Sequence, residues 1–375
     1  MAEQTLQAVP FNDLAALHAP FKEDALAAFD ELIDRSEFGV GAAVAEFEAA
    51  FAQFCGAAEC VGLSNGLDAV RLLLQTAGVG PGDEVIVPAM TFIATFAAVS
   101  QLGAVPVPVD VTWDDYGLDS SALEAAVGSR TRGVVPVHLY GQLADMAAIG
   151  AVAMRLGLPI VEDACQAHGA SRAGRVPAQG TIGAAFSFYP GKNLGAMGDA
   201  GAVVTSDAEV AEQVRLLRVH GERTRYRHER IGWTARLDAF QAAVLTLKLR
   251  HLAEWNAERR TIAALYSELL DGVGDLALPP VAPESEPVWH LHVVRTADPA
   301  ALADHLQARG VGTGRHYPEP PHLTEAYAHL GHPAGSFPVA EELARTCLSL
   351  PIFPGMTQAQ VEYVTGGIME YFGDS

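Results

Sequence analysis

The sequence predicts an α/β fold in which a large domain has a mostly parallel seven-stranded sheet between helices and a smaller α/β domain follows. From about Val61 to Val204, short β-rich runs alternate with helix-length amphipathic segments, as in parallel sheets covered on both faces. Strand and helix signals alternate again beyond Pro279. With 375 residues the chain is too long for one ordinary core. We therefore assign residues 1–250 to the large domain and 251–375 to the small one.

The large domain is predicted to begin with a helix and to continue as strands separated by helices. Residues Phe21–Asp34 carry apolar side chains at three- and four-residue spacing, which predicts an amphipathic helix. The predicted strands are Cys60–Leu63, Glu84–Pro88, Val105–Val109, Gly133–His138, Pro159–Glu162, Ala184–Phe188 and Ala202–Thr205. The helices predicted between them are Asp68–Gln75, Thr95–Leu102, Ser121–Val127 and Met146–Leu156. This order favours a sheet with helices on both faces.

The remaining elements lead into the small domain. Leu237–Leu270 predicts one or two long helices that join the domains. After them the sequence predicts a strand at Trp289–Arg295, a helix at Pro299–Arg309, a proline-rich loop at Tyr317–Pro321 and a helix at Val339–Thr346. These elements are enough for a small α/β cap.

A formal net charge of −21 argues against a nucleic-acid-binding protein, because neutralising phosphates needs lysine and arginine clustered on one face. The richest basic stretch, Arg215–Arg230, also contains glutamates and predicts a solvated or subunit-contact loop; a phosphate-binding loop is the alternative. The four cysteines lack the paired spacing of a metal site, and no signal peptide or apolar run of ~20 residues is visible. We expect a cytoplasmic protein with no metal and no membrane segment.

Only three lysines occur, and one of them lies where an amine could do chemistry. Lys22 and Lys248 lie on predicted helices, where a solvated or snorkelling side chain is the simplest interpretation. Lys192 lies between glycines in the segment Ser187–Ala202, just past a predicted strand, where backbone can approach a ligand closely. A glycine-rich, apolar pocket lowers the pKa of an amine, which can then attack a carbonyl and form a Schiff base. A phosphate-contacting lysine is the alternative.

A site for pyridoxal 5′-phosphate (PLP) also needs an acid that keeps the pyridine nitrogen protonated. An apolar strand delivers Glu162 and Asp163 to its carboxyl end, where ligands bind in open α/β sheets. Strand side chains alternate between faces, so only one of the two can reach the ring, and we assign Asp163. A helix cap is the alternative for this residue. Gln166 either hydrogen-bonds the 3-hydroxyl oxygen of the cofactor or lies at the surface.

The phosphate of such a cofactor needs free backbone amides at a helix N-terminus. Asn65 and Gly66 predict a turn directly after a strand, with the amides of Gly66 and Leu67 facing the phosphate. Ser187 lies shortly before the candidate lysine and offers a hydroxyl to the same group. Phe92 could stack on the ring, although an aromatic side chain in so apolar a segment is more often part of the core.

Taken together, these residues resemble the DegT/DnrJ/EryC1/StrS aminotransferases, the sugar-modifying branch of the fold-type I PLP enzymes. The resemblance covers nearly the whole chain. Its motifs are SNGLDA at Ser64, TFIAT at Thr91, VHLYGQ at Val137, EDACQAHGA at Glu162, FSFYPGKN at Phe186, GDAGAVVTSD at Gly198, RLDAFQAAVL at Arg236, HYPEPPHL at His316 and LSLPIFP at Leu348. The ordered set is far more specific than any one motif.

The resemblance implies a homodimer with two active sites shared across the interface. It also implies L-glutamate as the amino donor and a nucleotide-linked keto-sugar as the acceptor. Carried over by position, Lys192 resembles the Schiff-base lysine, Asp163 the partner of the pyridine nitrogen and Phe92 the ring-stacking residue. Ser187 resembles a phosphate ligand, and Gln166 matches the residue beside the 3-hydroxyl.

One position departs from the family pattern. The family commonly has Asn two residues before the Arg of its RLD motif, where it reaches the phosphate in the neighbouring subunit; here the residue is Thr234. Its hydroxyl is shorter, so this contact is either lost or mediated by water.

The motifs SNGLDA, FSFYPGKN and HYPEPPHL look most like the branch that aminates C3 of dTDP-linked 3-keto-6-deoxyhexoses. In that branch the positions of Tyr189, His316 and Tyr317 lie near the sugar; alternatively, the last two only order the proline-rich loop. The rivals among enzymes are amination of a 4-keto sugar or a keto-inositol, and PLP-dependent dehydration, whose enzymes carry His in place of Lys192. A regulatory protein that binds PLP or a sugar nucleotide without catalysis is the rival from another class.

Overall fold

A computed structural model describes residues 8–373, and its centre is a single large sheet. The strands are β1 Glu59–Leu63, β2 Glu84–Pro88, β3 Val105–Val109, β4 Thr131–Val134, β5 Val161–Asp163, β6 Gly183–Ser187 and β7 Gly201–Thr205. Hydrogen bonds give the orders β3-β2-β4 and β5-β6-β7-β1, and parallel bridges Val134–Ile160 and Val137–Asp163 connect β4 with β5. Only β7 runs antiparallel to its neighbours in this sheet. The predicted mostly parallel seven-stranded sheet is confirmed.

Two strands of the large sheet differ from their predicted bounds by more than one residue, and in both a proline interrupts the ladder. The sequence predicts Gly133–His138 for the fourth strand, but β4 ends earlier, since Pro136 has no N–H to donate. The sequence predicts Pro159–Glu162 for the fifth strand, and β5 instead begins two residues later and includes Asp163. The side-chain direction of Asp163 is therefore set by the pleat of the strand itself.

The helices cover the sheet and build the C-terminal unit. They are α1 Leu14–His18, α2 Lys22–Asp34, α3 Ala42–Cys55, α4 Gly66–Thr76, α5 Ala94–Ser100, α6 Ser120–Leu123, α7 Met146–Leu156, α8 Ala208–Leu217, α9 Ala239–Leu249, α10 Leu252–Leu270, α11 Pro299–Ala308, α12 Pro338–Thr346 and α13 Gln358–Phe372. Side-chain caps such as Asn65 on α4 and Asp145 on α7 fix where they begin. None of the described helices is both long and apolar enough to cross a membrane.

Alternating strand residues feed two separate apolar clusters, one on each face of the sheet. Val203 and Ala185 pack with α4, α5 and α8 on one face. Ala202 and Phe186, their neighbours in the chain, pack with α3 and α9 on the other. Both faces are thus buried, which explains why the strands have nearly continuous apolar sequences.

The C-terminal unit has its own strand pair and its own apolar cluster. Strands β8 His292–Arg295 and β9 Cys347–Leu350 pair antiparallel, and α10, α11 and α13 contribute to the cluster around them. Val9 joins this cluster from the other end of the chain. The division at residue 250 stays a prediction, and the outer bounds at residues 1 and 375 lie outside the described residues.

The expectation for one lysine is wrong. Lys22 is exposed, as predicted, but Lys248 on α9 is fully buried. Its Nζ donates a hydrogen bond to the Gly195 carbonyl and lies 3.2 Å from Nε2 of His18. Burial lowers the pKa of Lys248 to about 8. The cause is α1, which covers this part of α9 and could not be placed there from sequence periodicity.

Candidate active site

A cavity of about 850 Å³ opens at the carboxyl ends of the sheet strands, where open α/β sheets bind ligands. The predicted site residues that line it are Asn65, Gly66, Leu67, Phe92, Asp163, Gln166, Ser187, Tyr189, Lys192, His316 and Tyr317. Thr234 is not part of the lining. Within residues 8–373 no group of three or more His, Cys, Asp or Glu side chains is arranged to hold a metal ion. Segments from both ends of the chain and its centre therefore meet in one site.

Lys192 lies in a compact turn after β6. The turn is tight because Gly195 packs against Pro190; a Cβ on Gly195 would lie 2.2 Å from the Pro190 carbonyl oxygen. Burial lowers the pKa of the Lys192 amine, while the nearby Cys165 and Asp163 act in the opposite direction. The net effect favours the unprotonated amine that attack on a carbonyl needs.

Asp163 presents a carboxylate whose two oxygens are both oriented. The Thr95 hydroxyl donates to Oδ2 at 2.8 Å, and the Cys165 N–H donates to Oδ1 at 3.2 Å. Thr95 in turn lies 2.9 Å from the Thr91 hydroxyl. Thr95 was not among the predicted site residues, because in the sequence it marks only a position in a predicted helix. Its role depends on a contact with a residue 68 positions away.

Glu162 points to the opposite face of β5 and away from the cavity. Its fully buried carboxylate accepts hydrogen bonds from His138, from Arg175, from a threonine hydroxyl and from a backbone N–H, at 2.7–3.1 Å. Burial acts to raise the pKa of Glu162, but the bonds from His138 and Arg175 outweigh it and lower the pKa to about 2. Strand alternation thus separates the two neighbouring carboxylates.

The N-terminus of α4 faces the cavity beside Ser187. Asn65 caps this helix, since its Oδ1 accepts the Asp68 N–H at 2.8 Å. The amides of Gly66 and Leu67 are then the donors left over in the first turn. A Cβ on Gly66 would lie 2.7 Å from Cβ of Ser187, so only glycine lets the turn approach so closely. Amides, hydroxyl and helix dipole together form a cradle for an anion.

Gln166 and Phe92 lie on the wall of the cavity, and neither follows its alternative interpretation. Gln166 is buried; its Oε1 accepts the Tyr140 N–H at 2.6 Å and its Nε2 donates to the Tyr317 hydroxyl at 3.0 Å. An amide nitrogen carries two hydrogens, so one remains for a ligand. Phe92 is 51% exposed, with its ring 5.4 Å from that of Tyr317, and is therefore not a core residue.

His316 and Tyr189 line the part of the cavity near Lys192. Nδ1 of His316 lies 2.8 Å from the Ser349 hydroxyl, and its ring stacks on Phe11 at 5.6 Å. Burial, followed by the charge of Lys192, lowers the pKa of His316 to about 4. The ring is therefore neutral near pH 7. Tyr189 is 59% exposed and lines the cavity.

Thr234 lies on the exposed surface, with its hydroxyl 3.4 Å from both ring nitrogens of His220. A short hairpin, Glu222–Thr224 with Arg227–His228, precedes it. The contact predicted between Thr234 and a phosphate in a neighbouring subunit involves a second chain, so it stays a prediction.

Comparison with known proteins agrees with this geometry. The chain matches the family model described as the DegT/DnrJ/EryC1/StrS aminotransferase family over residues 20–369. It is 48% identical to the dTDP-3-amino-3,4,6-trideoxy-alpha-D-glucose transaminase of Streptomyces venezuelae, over 97% of this chain and 96% of that one. It is 49% identical to the erythromycin biosynthesis sensory transduction protein EryC1 of Saccharopolyspora erythraea, over 95% and 97%. The crystal structure of S. venezuelae DesV in complex with a ketimine intermediate matches with a TM-score of 0.95 at 48% identity, over 97% of this chain and 98% of that one.

Proposed function

The chain belongs to the DegT/DnrJ/EryC1/StrS aminotransferase family, whose members depend on PLP, and we propose that it transfers an amino group from L-glutamate to C3 of a dTDP-linked 3-keto-6-deoxyhexose. One observation carries the proposal: Lys192, Asp163 and the anion cradle at α4, far apart in sequence, line one cavity. The 3-amino sugar in the name of the similar S. venezuelae transaminase supports amination at C3. Amination of a 4-keto sugar or a keto-inositol is the alternative.

The residues of the cavity fit the phosphate of PLP. The cradle is shaped by close backbone packing, because a Cβ on Gly201 would lie 2.3 Å from the backbone carbon of Asn65. We assign the phosphate to the amides of Gly66 and Leu67 and to the hydroxyl of Ser187. Such a site needs no lysine, which leaves Lys192 free for chemistry.

Other residues that line the cavity fit the ring of the cofactor. We assign the ring nitrogen to Asp163, whose oriented carboxylate would keep it protonated, and the ring face to Phe92. The free amide hydrogen of Gln166 would reach the 3-hydroxyl oxygen. Thr95 acts indirectly, since its hydrogen bond aims Asp163.

When bound, PLP withdraws electrons from the carbon that must lose a proton. Lys192 is the group placed to move that proton, because burial lowers the pKa of its amine and so favours the unprotonated form that accepts a proton and then returns it. The neutral ring of His316 and the hydroxyls of Tyr189 and Tyr317 are suited to position the sugar by hydrogen bonds. In the first half-reaction glutamate leaves as 2-oxoglutarate, and in the second the keto-sugar receives the amino group.

The active unit in this proposal is a homodimer with shared active sites. Tyr226 and Ile231, in and just after the hairpin that precedes Thr234, are 77% and 88% exposed in the single chain. These apolar side chains are exposed to solvent within or beside the basic stretch Arg215–Arg230. Such a surface is suited to contact with a second copy of the chain. In that arrangement Thr234 would serve the site of the neighbouring subunit, directly or through a water.

The name of the similar sensory transduction protein EryC1 favours a second candidate, a regulatory protein that binds PLP or a sugar nucleotide without catalysis. A purely binding protein does not need a lysine with a lowered pKa near an oriented carboxylate. Both features are present here. We therefore rank the regulatory function second.

The test is a spectrum of the purified protein with PLP, followed by glutamate and then by 3-keto and 4-keto dTDP-sugars. We expect glutamate to bleach the visible band of the lysine-bound cofactor and a 3-keto sugar to restore it. Restoration by a 4-keto sugar alone would move the proposal to C4. If no band forms, Lys192 does not bind PLP and the regulatory candidate takes first place.

A further inference from the structure

The segment from Val9 to Phe21, here called the N-terminal strap, is held at both ends. At one end the Val9 N–H donates to the Gly310 carbonyl at 2.9 Å, and the Gly312 N–H donates to the Val9 carbonyl at 2.8 Å. At the other end the ring of Phe21 packs edge-on against Trp255 at 5.8 Å. Between these anchors the strap contributes two residues, Phe11 and Asn12, to the wall of the active-site cavity. No sequence motif had marked either residue.

Asn12 has a polar atom that the protein leaves unused. Its amide oxygen is fully buried and has no hydrogen-bond partner among the described residues. The two residues next to Asn12 in the chain have partners within the protein: Phe11 stacks on His316, and Asp13 caps α1 by accepting the Ala16 N–H. A buried acceptor without a partner is costly and rare in folded proteins. In a cavity wall, the simplest reason to keep one is that a ligand supplies the missing donor.

The position of Asn12 limits which part of a ligand it can reach. Its Nδ2 lies 3.9 Å from the point that a Cβ on Gly191 would occupy. Gly191 directly precedes Lys192, so the Asn12 amide lies beside the turn that carries Lys192, and both residues line the same cavity. The anion cradle is built from other elements, the α4 N-terminus and Ser187. Asn12 is therefore poised for the reacting end of a substrate.

We propose that Asn12 binds a hydroxyl of the keto-sugar, an inference that rests on the proposed function. The unpaired atom is an acceptor, so its complement must be a donor. Glutamate has one donor, its amino group, and this is the group that is transferred to the cofactor. Its carboxylates and the phosphates of the nucleotide carry no donor at neutral pH, whereas the sugar keeps its hydroxyls. Because both ends of the strap are anchored, the amide needs little ordering when the sugar binds. Asn12 is thus a specificity-determining residue for the acceptor and not for the donor.

The test separates the two half-reactions of Asn12→Ala. We expect kcat/KM for the sugar to fall roughly 5- to 30-fold, the effect of one neutral hydrogen bond, while bleaching by glutamate keeps its wild-type rate constant. Calorimetry gives a readout without turnover: the dTDP-amino-sugar product should bind more weakly by the same factor, and dTDP alone should bind as before. An equal loss in the glutamate half-reaction, or unchanged binding of the amino sugar, would overturn the inference.

Two further variants test whether the defect comes from the lost hydrogen bond or from a disturbed N-terminal strap. Asn12→Leu keeps the size of the side chain without its polar atoms and should reproduce the Asn12→Ala defect. Asp13→Ala weakens the cap of α1 one residue away without touching the cavity, and should leave sugar kinetics unchanged. A matching defect in Asp13→Ala would mean that a loosened strap causes the effect. If the wild-type protein aminates no dTDP-sugar, the proposed function itself fails, which is a different result from a wild-type enzyme indifferent to Asn12.

Discussion

Glu162 and Asp163 are neighbours in β5, but their carboxylates lie on opposite faces of the strand and have different hydrogen-bonding environments. On one face, Glu162 is enclosed by donors, and its hydrogen bonds to His138 and Arg175 complete a closed polar network. On the other face, the donors to Asp163 within residues 8–373 are the Thr95 hydroxyl and one backbone N–H, and the rest of the carboxylate faces the cavity. One network is complete without a ligand, and the other is complete only with one.

This difference indicates how to distinguish structural from functional charge in the same strand. A buried carboxylate whose acceptor sites are all used stabilises the fold, and removing it leaves its cations unpaired. A carboxylate oriented by a few donors but left open is preorganised for a ligand. This contrast predicts that substitution of Asp163 lowers activity and that substitution of Glu162 lowers stability.

The largest effect is expected at the amine of Lys192, which lines the same cavity as Asp163. Lys192→Arg should lower turnover roughly 10⁴-fold, because a guanidinium cannot take up and return a proton near pH 7. The fold should persist, since the residue lies in the cavity wall. Steady-state assays together with the circular dichroism spectrum and melting temperature check both statements. Substantial activity in the purified variant would remove Lys192 from its assigned role.

A smaller loss of activity is expected at the open carboxylate. Asp163→Asn keeps the shape of the side chain but removes the charge, so the rate should fall roughly 10²- to 10³-fold. The unfolding free energy should change little, because Thr95 can still donate to the amide oxygen. Urea unfolding and single-turnover kinetics with glutamate measure the two quantities separately. A variant that is unstable but active once folded would reverse the contrast between the faces.

The closed network should show the opposite pattern. Glu162→Gln leaves Arg175 and His138 without their anion and should lower the unfolding free energy by about 3 kcal/mol, with activity retained below the melting temperature. In the wild type the pKa of Glu162 is lowered to about 2, so its contribution is complete above pH 4.5 and is lost as the pH falls toward 2. Urea titrations at several acidic pH values test this. An unchanged acid limb in Glu162→Gln would show that other groups control it.

Much of this contrast could be predicted from the sequence, and the remainder depends on contacts it does not encode locally. In the large sheet, strand bounds follow the β-branched runs to within one residue except near Pro136 and Pro159. The period of two places Asp163 and Glu162 on different faces. Thr95 and Asn12 were missed because each acquires its role from elements distant in the chain. Sequence periodicity does not predict contacts between residues that are so far apart in the chain.

At Lys248 the helix pattern predicts a solvated or snorkelling side chain, but the folded protein buries it. A variant of this residue is expected to give the smallest effect, a change in how stability depends on pH. Burial lowers the pKa of Lys248 to about 8, whereas an unfolded lysine titrates near 10.5. Between these values the unfolded chain binds more protons, so the unfolding free energy should rise with pH, by about 2.5 kcal/mol from pH 8 to 10.5. Lys248→Met should abolish that rise while removing the donor to the Gly195 carbonyl, which lies in the loop that carries Lys192. Urea unfolding from pH 8 to 10.5 measures the slope, with exposed Lys22→Met as the matched control. A slope that persists in Lys248→Met but disappears in Lys22→Met would mean that the buried amine is not the titrating group.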